Sequence, residues 1–299
     1  MTALQAAVAS LILMSASENF QKLSHCIERK DKACVLASLK AGPVERSAEY
    51  LELAARAYML LGQNQQAVQC IGQAVKLMPA KFEYLMEKGW IHQRSGDQVS
   101  AIESFLLASH VNPQSSSVFY ELGMSFFLAK EFERSTRHFN HALQLDPKND
   151  KAEFMNGVVE IWLGHLDQAK LHFANALHLE PQNAHYLLHY GVLLSMLNED
   201  DLAMQNLQAA RKIDPSNPLT HYQLGKRYRS LGKLPEARVE LEIAVRLKPT
   251  LSPAVYQLGQ VYQKLGEAAK AREAFSAFET LSQQEKSGDE DPIDVNLEN

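Results

Sequence analysis

The sequence predicts an all-α fold made of stacked helix pairs, and three observations carry that prediction. Pro79, Pro113, Pro147, Pro181, Pro215 and Pro249 follow one another at a constant spacing of 34 residues. A glycine keeps the same period at Gly89, Gly123, Gly157, Gly191, Gly225 and Gly259. Small and bulky apolar residues keep it too, in fixed register to both. A period of that length marks a supersecondary unit repeated along the chain, not one globular core. Such a unit cannot bury its apolar face alone, so neighbours stack, and the stack presents an extended surface to other molecules.

Placing proline at position 32 divides the chain into units 48–81, 82–115, 116–149, 150–183, 184–217, 218–251 and 252–285, with N-terminal helices in 1–47 and an acidic tail in 286–299. In the first segment Leu4, Val8, Leu11 and Ile12 share one helical face, and Thr2 with Gln5 fits a capping box. The same stretch, followed by Ser15-Ala16-Ser17, also has the outline of a signal peptide but lacks a positive start. The reading favours the cytoplasm over export. Cys26 and Cys34 flank a turn predicted at Lys30-Asp31. They either bridge two helices, as export would permit, or act as small buried hydrophobes. Three cysteines do not suggest a disulfide framework.

Within the units, position 8 is glycine in all but the first, which has Ala55. A helical glycine costs about 1 kcal/mol relative to alanine, so six in register imply a shared reason, the close approach of two helices. Position 20 is small (Ala67, Ala101, Ser135, Ala169, Ala203, Ala237, Ala271), and position 27 is alanine from Ala74 to Ala244. Position 24 is bulky: Ile71, Phe105, Phe139, Phe173, Leu207, Leu241 and Phe275. Large residues facing small ones let paired helices interdigitate. Position 15 separates the two helices with Gly62, Gly96, Gly164, Asn198, Gly232 and Gly266, residues that accept the left-handed conformation closing a helix. Lys130 is the exception and is expected to be strained. Proline ends each second helix. Asn217 before Pro218, Ser252 before Pro253, and Asp150 with Glu153 read as helix starts.

This register resembles the tetratricopeptide repeat family, whose motif has apolar residues at positions 4, 7 and 11, Gly or Ala at 8, Ala at 20 and 27, an aromatic near 24 and Pro at 32. Leu224, Gly225, Tyr228, Ala237, Leu241, Ala244 and Pro249 make the sixth unit nearly a consensus copy, with His221 replacing the apolar residue at position 4. The resemblance covers residues 48 to about 282, and a degenerate copy precedes it, with Ala33 one period before Ala67. It implies a right-handed superhelical solenoid of antiparallel helix pairs whose first helices line a concave groove.

In that family, groove residues fall mainly at positions 2, 5, 9 and 12. Here those positions imply an acidic, mixed end (Glu49, Glu52, Arg56, Met59, Glu83, Met86, Trp90, Gln93) and an apolar centre (Tyr120, Met124, Phe127, Phe154, Val158, Ile161, Leu188, Val192). The other end is polar to basic: Tyr222, Lys226, Arg229, Tyr256, Gln260 and Gln263. An exposed apolar patch of this kind marks a binding site. Methionine adapts its shape and aromatics carry much interface energy, so the expected ligand is an extended or amphipathic peptide with apolar anchors. The alternative for each residue is packing against the next first helix. Position 9 holds no asparagine, which argues against the family's C-terminal-carboxylate clamp and its asparagine ladder.

The tail carries Asp289, Glu290, Asp291, Asp294 and Glu298 against Lys286. Such a segment reads as disordered, and two roles stay open for it, solubility or folding back over Lys226 and Arg229. Phe275, Phe278 and Leu281 leave an apolar end that could dock a partner or a second copy. His185 and His189 are spaced for chelation but lack further ligands; no metal or other cofactor is expected. His138 and His172 read as surface residues.

A net charge of −5 without basic clustering argues against nucleic acid, and no apolar run approaches the roughly 20 residues of a membrane span. No phosphate loop, metal motif or nucleophile elbow occurs, and the segments outside the seven units are too short for a catalytic domain. The sequence therefore predicts a non-enzymatic scaffold that binds partner polypeptides. The alternatives are an exported assembly or secretion factor, and a regulatory or targeting subunit of an enzyme complex.

Overall fold

The computed structural model describes residues 18–41 and 47–285. The expectations on residues 1–17 and on the tail lie outside the described residues. Sixteen helices and no strand are present among the described residues. Contacts group the chain into two compact units, Met1–Gly164 and His165–Asn299.

The first unit opens with a hairpin of α1 (18–28) and α2 (Lys32–Ala41), followed by α3 (Ala48–Leu60), α4 (Asn64–Leu77), α5 (Phe82–Arg94), α6 (Gln98–Val111), α7 (Ser116–Leu128), α8 (Phe132–Leu145) and α9 (Asp150–Trp162). Consecutive helices pack as hairpins from α3 through α8, and α9 packs on α8. The second unit holds α10 (Leu166–Leu179), α11 (Ala184–Met196), α12 (Asp200–Ile213), α13 (Pro218–Ser230), α14 (Leu234–Leu247), α15 (Ser252–Lys264) and α16 (Ala268–Glu285). There α10 packs on α11, and each later helix packs on the next.

Each hairpin forms as the register requires. At the turn position, Gly62, Gly96, Gly164, Gly232 and Gly266 have positive φ, and so do Asn198 (φ 60°) and Lys130 (φ 59°). The first helix stops there because a left-handed residue cannot continue it. Proline follows two residues after each of α4, α6, α8, α10, α12 and α14. The helix starts differ in detail from expectation. Asn217 caps α13 through the amide N–H groups of Leu219 and Thr220. However, Asn149, not Asp150, caps α9 by accepting from Ala152. Ser252 is the first residue of α15 and lies buried, leaving that start without a side-chain cap.

Small faces large across each hairpin. The fully buried Phe105, Phe126 and Phe139 fill the first unit, and Leu193, Leu194 and Leu207 the second, each contributing about 2–3 kcal/mol of burial. Ser135, at an otherwise alanine position, donates to the Gly123 carbonyl at 2.7 Å, so its hydroxyl is satisfied inside the hairpin.

Two departures from the apolar pattern are buried polar clusters. On α9, positions 4, 7 and 11 are Glu153, Asn156 and Glu160, all buried. The Asn156 amide donates to Asn140 at 2.8 Å, while the Thr136 hydroxyl bonds Asn156 and Glu160. In the second unit, His221 pairs with Glu240 at 2.6 Å through Nδ1 and meets the Pro215 carbonyl through Nε2. Arg211 bonds the other Glu240 oxygen. Burial of a polar group is tolerable only with such partners.

Candidate functional site

The expected binding residues lie on the first helices α5, α7, α9, α11, α13 and α15, and their exposure separates them. In the first unit, Met86, Met124, Phe154 and Val158 are buried, Phe154 at 4% and Val158 at 0% exposure. In the second unit Leu188 is buried as well. These five are corrected from groove surface to packing between helices. The physical reason is the stacking itself: α3 touches α5 and α7 touches α9, so apolar side chains at positions 5 and 9 sink into the seam, while Leu188 packs in a cluster with Leu207, Ala210 and Leu224.

What remains accessible is the aromatic and polar subset. On the first unit Trp90 is 38% exposed, and Tyr120, Phe127 and Ile161 are half-buried. The Trp90 indole lies near the Glu121 carboxylate. Burial raises the pKa of that carboxyl, while the indole and Lys151 pull it back. Burial likewise lifts Glu52 and Glu87, which face Arg56, and lifts the Tyr120 hydroxyl. Tyr120 packs 5.7 Å from Phe139. Phe127 lies 5.9 Å from Phe132, which stacks on Trp162. An exposed indole near a carboxylate is suited to an apolar or cationic side chain.

On the second unit Lys226 is exposed, Val192, Tyr222 and Arg229 are half-buried, and Tyr256 is 38% exposed. Burial raises the Tyr222 hydroxyl and the nearby Arg229 lowers it. Tyr256 sits on α15, the last first helix of the described chain, and packs 6.0 Å from Phe275 and 5.0 Å from Phe278. The aromatic residues of the last hairpin therefore partly cover one another, and Phe275, Phe278 and Leu281 are half-buried.

The histidines also differ from expectation. His138 is not a free surface residue: its ring stacks 5.1 Å from Phe126, and His141 lies 3.9 Å from Phe119. His185 and His189 meet edge-on at 4.4 Å, and burial depresses both. Among the described residues no group of three His, Cys, Asp or Glu is placed to hold a metal ion, and no helix is long and apolar enough to cross a membrane. Sequence reasoning missed the α9 polar cluster. Its signal was present, since Glu153, Asn156 and Glu160 occupy the three motif positions that should be apolar.

Models of the tetratricopeptide repeat match residues 52–109, 156–218 and 252–284, and a further TPR repeat model matches 225–266. This chain belongs to the tetratricopeptide repeat family. It is 31% identical over 103 residues to tetratricopeptide repeat protein 6 of Homo sapiens, a match covering 34% of this chain and 20% of that protein. The chain therefore spans about a fifth of that relative's length. Its fold is shared with the APC/C hetero-tetramer Cut9-Hcn1, at a TM-score of 0.63, 16% identity, and coverage of 80% of this chain and 48% of that one. It is also shared with YrrB, a TPR protein with an unusual peptide-binding site, at a TM-score of 0.51, 23% identity, and coverage of 63% and 100%.

Proposed function

We propose that this chain is a non-enzymatic interaction scaffold whose first-helix faces hold partner polypeptides through aromatic anchors. The observation that carries this reading is Trp90, 38% exposed on a first helix with the Glu121 carboxylate near it. A large, rigid aromatic kept at the surface offers much contact area for few rotatable bonds, which is the property of an interface anchor. Family membership supports a protein-interaction role, and YrrB, described as having a peptide-binding site, supports a polypeptide ligand. The division into seven repeats, 48–285, belongs to the same reading.

The experiment is affinity capture with mass spectrometry, comparing the wild type with Trp90→Ala, Tyr120→Ala and Phe127→Ala combined. Phe154 is left intact because it is buried and its loss would damage the core. The expected outcome is loss of one shared set of bound polypeptides at unchanged helical content. Equal recovery by both proteins would overturn the reading.

A second reading, an assembly or secretion factor acting outside the cytoplasm, is favoured by the disulfide joining Cys26 and Cys34, since such bonds persist in oxidising compartments.

A further inference from the structure

In the second unit the three first helices α11, α13 and α15 contain Lys226, Arg227, Arg229 and Lys264, and no Asp or Glu. Arg227 is paired with Asp200. Lys226, Arg229 and Lys264 have no carboxylate partner among the described residues. The Arg229 Nε is buried without a hydrogen-bond partner, and so is Gln260 Oε1 on α15. Beside these lie the half-buried Tyr222 and the exposed Tyr256. The face thus offers cations and aromatic edges and supplies no anion of its own.

The same chain holds a complementary segment. Residues 286–299 carry Asp289, Glu290, Asp291, Asp294 and Glu298 against the single cation Lys286. Within them Ile293, Val295 and Leu297 alternate with Asp294, Asn296 and Glu298. Alternation of period two gives an extended segment one apolar edge and one polar, acidic edge. A merely solubilising tail has no need of that pattern.

We propose that residues 286–299 occupy the first-helix face of the second unit, with Ile293, Val295 and Leu297 toward Tyr222 and Tyr256 and the acids toward Lys226 and Arg229. This rests on the reading that first-helix faces bind polypeptide, and adds the occupant. The reach suffices. With 18 residues against the 13 of its hairpin partner α15, α16 ends level with the start of α15 or beyond it. From there to Arg229 is roughly 25 Å, at about 1.5 Å per helical residue along α13 and two spacings of about 9 Å, from α16 to α15 and from α15 to α13. Residues 286–293 extend to roughly 27 Å, which brings Asp294 to it. Tethering sets an effective concentration on the order of millimolar, so a weak intrinsic contact is filled. An external partner for this face is then an acidic, apolar-anchored segment that competes with the tail.

The test uses the full chain and a fluorescent peptide of residues 286–299, followed by anisotropy. A full-length variant with Ile293→Ser, Val295→Ser and Leu297→Ser releases the face. The expected result is that this variant binds the peptide at least about tenfold tighter than the wild type, whose tail competes at its effective concentration. Binding should weaken as salt rises from about 50 mM to about 500 mM, and should be lost when Lys226→Glu and Arg229→Glu are added. Lys226→Gln with Arg229→Gln replaces the reversal if circular dichroism shows unfolding. Equal affinity for wild type and released variant, equal binding of a scrambled peptide, or binding that survives the charge changes overturns the inference. Those outcomes leave the Trp90 capture experiment on the first unit untouched, so the two readings fail separately.

Discussion

A Cβ atom built on Gly89 would lie 2.3 Å from the Phe105 ring, inside any tolerable contact. The same relationship repeats between Gly123 and Phe139 at 2.7 Å, and between Gly225 and Leu241 at 2.5 Å. The periodic glycine is therefore the hole into which the periodic bulky residue fits. Gly89→Ala gains about 1 kcal/mol of helix propensity but forces α5 away from α6, an overpacking cost of about 1–3 kcal/mol. Net destabilisation, seen as a lower thermal midpoint, is the expected outcome. A midpoint at or above wild type would refute the packing account.

Lys130 occupies the left-handed turn position that glycine holds in five other repeats. A non-glycine residue there costs about 1–2 kcal/mol. Lys130→Gly should recover about 1 kcal/mol of that once the entropy of the unfolded glycine is counted. Urea titration of the two proteins checks it, and a destabilised variant would show that the lysine side chain makes a contact worth more than the strain.

The disulfide Cys26–Cys34 ties α1 to α2 across eight residues of sequence separation. Closing a loop of this size contributes about 2–3 kcal/mol in the chain-entropy account. Thiol titration of unreduced, denatured protein should count one free thiol, Cys70. Three free thiols would contradict the bridge. Reduction should loosen the N-terminal hairpin, measurable as faster hydrogen exchange in α1 and α2, while α5 to α8 stay protected.

Burial first, then Arg134, His141 and Arg137, pushes the His138 pKa down from 6.5 to about 4. In the second unit, burial and His185 push His189 down to about 3. Both rings are held neutral in the folded state, so the unfolded chain binds the proton first. Their contribution to stability is complete above about pH 6.5 and is lost progressively as pH falls toward about 4. Thermal melts between about pH 7.5 and pH 4.5 should show this decline, and His138→Phe should flatten it. An unchanged slope in that variant would place the acid sensitivity elsewhere.

The helix boundaries and hairpin pairing were legible because they rest on local chemistry and one repeated period. Proline stops a helix, Gly or Asn closes one, and alanine opposite phenylalanine sets which faces meet. Trp90, Lys226 and Tyr256 were legible as surface for a related reason, since each has a body that packs and a polar or broad tip that stays in water. Met86, Met124, Phe154, Val158 and Leu188 were misplaced because exposure at those positions depends on how deeply the adjacent first helix seats. That depth is a property of the stack and not of any one repeat. His138 was misread for the same reason, since only packing brings Phe126 against it.

By itself, then, the sequence determined the repeat, its family, the hairpin turns and the acidic tail with its alternating apolar residues. All of these follow from spacing along the chain. The tertiary structure decided which first-helix residues face solvent, that Glu153, Asn156 and Glu160 are buried among polar neighbours, and that Lys226 and Arg229 have no anionic partner among the described residues. Those outcomes depend on distances between residues far apart in sequence, and a period cannot encode how closely two stacked helices approach.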